Sequence, residues 1–260
     1  MAAPVALIQG ASRGLGLEFC RHILRNKTPA AVIATCRNPD GAAELRGLAG
    51  QHPGRLTVLQ LDVNREEDIR GAADRVKESF GRLDLIVNSS AMLHPSGKGE
   101  TSLRDVSAQG IISTLTTNTV GPLVMAKYFA PLLQKGGGSF GQQPAEKAKQ
   151  HSGIIVNITA KVGSIGDNGL GGWYSYRMSK AALNMATRNL SIELGRSRPK
   201  VGGVCVLTSR NSQHRPLPAV SQERAKRQAV QCRTLCDLSD EHHRLSEYGK
   251  DWQGIQLGWD

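Results

Sequence analysis

Val5-Ala6-Leu7-Ile8 is an unbroken apolar run that stops at Gln9-Gly10-Ala11-Ser12-Arg13-Gly14-Leu15-Gly16, after which Leu17, Cys20, Ile23 and Leu24 recur at helical spacing. Four apolar residues in a row suit a strand buried on both faces, and the glycines let the chain turn at once into a helix. Such a turn brings backbone N–H groups to a helix N-terminus, where a pyrophosphate can approach closely. The alternation then repeats. Ala31 to Cys36 reads as a second buried strand, Leu56 to Val63 as a third, Leu83 to Asn88 as a fourth, Gly153 to Ile158 as a fifth and Val204 to Leu207 as a sixth. Helical patterns lie from Arg65 to Phe80, from Ser113 to Leu133 and from Tyr176 to Leu194. This order predicts an α/β fold, a Rossmann-type doubly wound parallel sheet in three layers, α/β/α. A chain of 260 residues suits a single domain of that kind.

Ligands of such sheets bind beyond the carboxyl ends of the strands, where Gly10, Arg37, Asp62 and Asn88 all fall. An acidic residue about 20 positions past the glycine turn would take a ribose 2′-hydroxyl, whereas an Arg accommodates a 2′-phosphate. The second strand ends in Arg37-Asn38, so Arg13 and Arg37 point to NADP(H) over NAD(H); the alternative is that both are solvated loop arginines. A net charge of +11 suits a ligand with several phosphates. It does not support a nucleic-acid partner, because only four Phe, four Tyr and three Trp are present and no dense basic run occurs. No apolar run approaches membrane-spanning length, so a soluble protein is expected. Cys20, Cys36, Cys205, Cys232 and Cys236 form an odd set without metal-binding spacing, which predicts reduced thiols in the cytoplasm and no metal. The first strand begins at Pro4-Val5, with no presequence expected before it.

The stretch Trp173-Tyr174-Ser175-Tyr176-Arg177-Met178-Ser179-Lys180 adds chemistry. Tyr176 and Lys180 are four apart and share one helix face, where an ammonium can reach toward a phenol. A nearby cation favours phenolate, so the spacing predicts a Tyr176 pKa below the ordinary value of about 10. Tyr174 has Met178 at the equivalent position and gets no such help.

Together these residues resemble the short-chain dehydrogenase/reductase family over roughly positions 4 to 206. The likeness rests on Gly10, Gly14 and Gly16, the Asp62-Val63 pair, Asn118 with Gly121, and Tyr176 with Lys180. Within the family it is closer to the Sniffer-type carbonyl reductases and C-factor-like proteins, through Val162-Gly163-Ser164-Ile165-Gly166-Asp167-Asn168 and Gly171-Gly172-Trp173-Tyr174. The resemblance implies that Tyr176 donates a proton to a substrate carbonyl, Lys180 holds the nicotinamide ribose, and Asn118 supports a water-mediated proton relay. It implies further cofactor contacts from Ser12, Leu15, Asp62, Val63 and Asn88, a small carbonyl or alcohol as substrate, and a homodimer or homotetramer.

Four departures accompany the likeness. Gln9 stands where Thr is usual, and Asn88-Ser89-Ser90-Ala91 replaces Asn-Asn-Ala-Gly, so the backbone is expected to approach a cofactor less freely. The serine expected after the fifth strand is Ala160, leaving Thr159 or Ser164 to bond the carbonyl; Ser164, twelve residues before Tyr176, is favoured. The sequence therefore divides into a cofactor-binding core at 1–206, with a polar, glycine-rich surface insertion at 135–151, and an atypical C-terminal segment at 207–260. That segment is expected to be poorly ordered and to be an alternative C-terminus, with a short helix near Gln222 to Leu235 and no closing strand. A non-catalytic NADP-binding protein derived from such an enzyme is the competing reading.

Overall fold

Six parallel strands and one antiparallel edge strand form a single sheet in the computed structural model, which describes residues 3–25, 30–138, 140, 151–197, 199–208 and 232–234. The strands are β1 (Val5–Gln9), β2 (Ala31–Cys36), β3 (Leu56–Gln60), β4 (Leu85–Asn88), β5 (Gly153–Ala160), β6 (Val201–Thr208) and β7 (Cys232–Thr234), in the spatial order β3-β2-β1-β4-β5-β6-β7. The order reverses between β1 and β4, the position at which doubly wound sheets open a crevice for a ligand. In register, Gln9 lies beside both Thr35 and Asn88, and Asn88 lies beside Asn157, so the strand ends converge on one edge.

Alternation along each strand divides the core in two. Ala6 and Ile8 face a layer shared with Leu17, Cys20, Ile23 and Leu24 of α1 (Gly14–Arg25) and with Leu45 and Leu48 of α2 (Ala43–Gln51). Val5 and Leu7 face the opposite layer, with Ile69, Ala72, Ala73 and Val76 of α3 (Glu66–Phe80) and with Met125, Phe129 and Leu133 of α5 (Gly121–Leu133). Strands buried on both faces are what covering helices require of a parallel sheet. α3 begins with Glu66, Glu67 and Asp68 at its positive end and stops at Gly81, whose φ of 68° breaks the helical path.

Local readings needed correction at several places. The helix expected from Ser113 starts at Ala108, because the Ser107 hydroxyl caps it by accepting from the Gly110 amide at 3.1 Å. It runs as α4 (Ala108–Leu115), a π turn (Thr116–Val120) and α5 without a break. β5 extends two residues past Ile158, and β6 begins three residues before Val204. Cys232–Thr234 is not helical, and a closing strand does exist: β7 pairs antiparallel with β6, which otherwise would present an unpaired edge. The rest of the C-terminal segment lies outside the described residues. So does 141–150 of the insertion, while its first residues are bound to the sheet: Gly136 packs on the backbones of Leu83 and Ser152, Gly138 N donates to Ser152 O at 2.8 Å, and Phe140 is buried in the core.

Asp84 ties that connection to the sheet. Its carboxylate accepts from the Val5 amide at 2.8 Å and from the Gly137 amide at 2.6 Å, beside Arg82 at 3.7 Å. Each bond joins a backbone donor to a buried charge, the stronger kind of hydrogen bond. We expect Asp84→Ala to lower unfolding stability by about 2 kcal/mol or more in a urea titration; a loss under about 0.5 kcal/mol would remove Asp84 from this role.

Candidate active site

The glycine turn between β1 and α1 is shaped by two different demands. Gly10 has φ 81°, and a Cβ there would collide with Ser90; a Cβ at Gly16 would collide with the backbone of Gly10. Those two glycines let the turn pack against itself and against the loop after β4. Gly14, with φ 58°, borders open space, on the side from which a ligand can approach. Ser12 and Leu15 are half-buried, and Arg13 and Arg37 are exposed. α1 has no acidic residue in its first turn, so the amides at its N-terminus and Arg13 meet no carboxylate there. An anionic dinucleotide fits this donor set and this opening. Two departures from the family pattern also lock onto each other: Gln9 Nε2 donates to Ser90 Oγ at 2.6 Å, and Ser90 N donates to Gln9 Oε1 at 3.1 Å.

Asp62 and Val63 follow β3. Asp62 Oδ1 accepts from Asn64 N at 3.0 Å, and Val63 is buried against Gly121. Asn88, at the end of β4, donates through Nδ2 to Asn157 Oδ1 at 2.8 Å, and Asn157 donates to Thr187. Asn88 Oδ1 is buried and finds no hydrogen-bond partner among the described residues.

Tyr176 and Lys180 lie near the start of α6 (Tyr174–Arg196), 8% and 1% exposed. Lys180 Nζ donates to the Ile158 carbonyl of β5 at 2.8 Å and stands 5.7 Å from the centroid of the Tyr176 ring. Asn118 sits in the π turn, a distortion often found at functional sites. Its amide both accepts from Met92 N and donates to Met92 O, each at 2.8 Å, and also donates to Ser179 Oγ at 2.9 Å. Ser179 Oγ in turn donates to Tyr176 O at 2.8 Å. The structure therefore brings Asn118, Tyr176 and Lys180 together at the carboxyl edge of β4 and β5.

The two hydroxyl candidates both hold other partners. Thr159 Oγ1 donates to Asn184 Oδ1 at 2.7 Å, and successive strand residues point to opposite faces. Ser164 is exposed, and its hydroxyl accepts from Asp167 N at 3.3 Å. Ala160 is the β5 residue packed with Tyr176, in a cluster that also holds Leu93, Val162 and Trp173. The Trp173 and Tyr176 rings meet edge to face, 6.3 Å between centroids. The sequence pattern assigns no role at the site to Trp173, Leu93 or Glu100, a buried carboxylate bonded to Ser175. Burial pushes the Glu100 carboxyl up, but the Ser175 hydroxyl and amide, its own amide and nearby His94 outweigh this and hold it below the ordinary range. Only the glycine pair before Trp173 hinted at a special backbone there.

The apolar surroundings reverse one expectation. Spacing predicts that Lys180 lowers the Tyr176 pKa; instead burial pushes the phenol up to about 12. Desolvation of the ring disfavours phenolate. The folded protein thus keeps this proton to about 12, while the unfolded chain loses it near 10, so the contribution to stability is complete below pH 10 and is lost as pH rises from about 10 to about 12. Tyrosinate absorbance of the native protein minus that of Tyr176→Phe should show a midpoint near pH 12. A midpoint at or below about 10, the ordinary phenol value, would overturn this account of burial.

Among the described residues no cluster of His, Cys, Asp or Glu could hold a metal, and no helix is long and apolar enough to cross a membrane. The chain is 33% identical to the NADPH-bound carbonyl reductase from chicken fatty liver, with a TM-score of 0.66 over 80% of this chain and 79% of that one. It is 31% identical to the carbonyl reductase Sniffer of D. melanogaster, with a TM-score of 0.69 over 78% and 79%. An uncharacterized oxidoreductase of Schizosaccharomyces pombe is 30% identical over 190 residues, 73% of this chain and 67% of that protein. The short chain dehydrogenase family profile matches residues 4–212. With its glycine turn, its strand reversal between β1 and β4, and its Asn118, Tyr176 and Lys180 grouped near the strand ends, the chain belongs to the short-chain dehydrogenase family of oxidoreductases.

Proposed function

We propose that this oxidoreductase uses NADPH to reduce the carbonyl of a small aldehyde or ketone to the alcohol. The observation that carries the reading is a buried Tyr176 beside Lys180, on the sheet edge that also holds the glycine turn. The nicotinamide, when bound, supplies the hydride. Tyr176 gives its proton to the carbonyl oxygen as negative charge develops there, the direction open to a phenol, which carries its proton at neutral pH. Lys180 holds the ribose, and Asn118 orients the relay that returns a proton to Tyr176. Arg13 and Arg37 provide charge for a 2′-phosphate, in keeping with the NADPH bound by the chicken enzyme. Leu93, Val162 and Trp173 give the cleft an apolar wall, which favours carbonyl compounds with an apolar side. Met178, Met185 and Ile192 recur every seven residues on exposed α6, and Val120 and Leu123 are exposed on the neighbouring helix. Apolar stripes on both long helices support a homodimer or homotetramer joined through them.

A second reading, a non-catalytic NADP-binding protein, is favoured by one observation: the β5 residue packed on Tyr176 is Ala160, which has no hydroxyl for a substrate oxygen. NADPH oxidation with a panel of aldehydes and ketones separates the two. Turnover that Tyr176→Phe abolishes, with NADPH still raising the melting temperature of both proteins, supports the reductase. No turnover in either, with the same NADPH stabilisation, supports the binding protein. Ala160→Ser should raise kcat by about tenfold or more, since one well-placed donor to a developing oxyanion is worth that much. Stabilisation by NADH exceeding that by NADPH would overturn the assignment to Arg13 and Arg37, and Arg37→Asp should move the preference toward NADH.

A further inference from the structure

Gly171, Gly172 and Trp173 hold three consecutive positive φ angles of 63°, 64° and 50°. For tryptophan that backbone is unfavourable and persists only where its surroundings impose it. One short loop after β4 does so. The Trp173 amide donates to the Glu100 carbonyl at 2.6 Å, and Gly99 packs so closely on the indole that a Cβ there would collide with the ring. The Glu100 side chain then reaches the first turn of α6, where its Oε1 accepts from the Ser175 amide at 3.1 Å and from the Ser175 hydroxyl. α6 receives no side-chain cap from Trp173, its own N-cap residue, so this 23-residue helix takes its cap from 75 positions upstream. Glu100 is 2% exposed, and its Oε2 has no hydrogen-bond partner among the described residues. A carboxylate buried this far is tolerable only where its remaining bonds are well made, which sets the geometry of the turn it holds.

We infer that Glu100 is a positioning residue for Tyr176: by clamping Trp173 and Ser175 it fixes the first turn of α6 and so where the phenol and the neighbouring indole stand in the cleft. Tyr176 lies three residues after Trp173 and immediately after Ser175, so slack at Glu100 passes directly to the phenol. The kinetic consequence rests on the reading of Tyr176 as proton donor; the structural consequence does not.

The test compares the wild type with Glu100→Ala, Glu100→Gln and Ser175→Ala in the full chain. Misplacing a catalytic group by about 1 Å can cost about 100-fold in rate. We expect Glu100→Ala to lower kcat by about 10- to 100-fold with KM and the NADPH dissociation constant changed less than about threefold. Glu100→Gln, which keeps an acceptor for the Ser175 amide, should recover most of that loss. Hydrogen exchange at the Ser175 to Arg177 amides should quicken in Glu100→Ala and return toward the wild-type rate in Glu100→Gln. If neither the wild type nor any variant turns over substrate, the reductase reading fails while exchange still decides the role of Glu100. Should Glu100→Ala not fold, Ser175→Ala must by itself quicken exchange at these amides and lower kcat by severalfold. Exchange and kcat unchanged from the wild type in folded Glu100→Ala, or in Ser175→Ala when that variant alone is available, would overturn the inference.

Discussion

A lysine with 1% exposure is the constraint around which this site is built. An ammonium cannot be removed from water without partners, and the Ile158 carbonyl near the end of β5 provides one at 2.8 Å. That bond sets α6 against the sheet edge at one depth and one rotation. Asn118 then satisfies the backbone of Met92 and the hydroxyl of Ser179, joining the loop after β4, the π turn and α6 in one buried polar network. Such networks are stable only when their members are satisfied, so each of these side chains limits where the others can be.

The packing around that network is apolar, and it includes Ala160 at the position where the family resemblance implies a serine. Ala160, Leu93, Val162 and Trp173 surround the Tyr176 ring and withdraw water from it, which is why the phenol holds its proton so far into the alkaline range. At the other end of the crevice the departures at Gln9 and Ser90 make a reciprocal pair that closes the glycine turn against the loop after β4. Changes that look damaging one at a time along the sequence are coupled in space.

Much of the fold was legible because its signals are local. Apolar runs of four to eight residues marked the six parallel strands, and the stripe through Ile69, Ala72, Ala73 and Val76 marked α3. α2 went unread because only Leu45 and Leu48 of its nine residues are buried and Gly47 and Gly50 interrupt it. The start of α4 was placed too late because Gly110 masked a sound cap at Ser107. β7 could not be seen, since a three-residue edge strand owes its existence to the unpaired side of β6 rather than to its own composition.

At the site the same division holds. The sequence by itself determined the strand–glycine–helix turn, the alternation that puts Gly10, Arg37, Asp62 and Asn88 on one edge, and the four-residue spacing that puts Tyr176 and Lys180 on one helix face, because each depends on periodicity within a short segment. Only the tertiary structure decided that Ala160 packs beside the phenol, that Lys180 bonds a strand carbonyl, that Glu100 caps a helix 75 residues away, and that burial raises the Tyr176 pKa. Those outcomes follow from burial and from which distant groups meet, and desolvation is a property of the packed neighbourhood that no single stretch of chain contains.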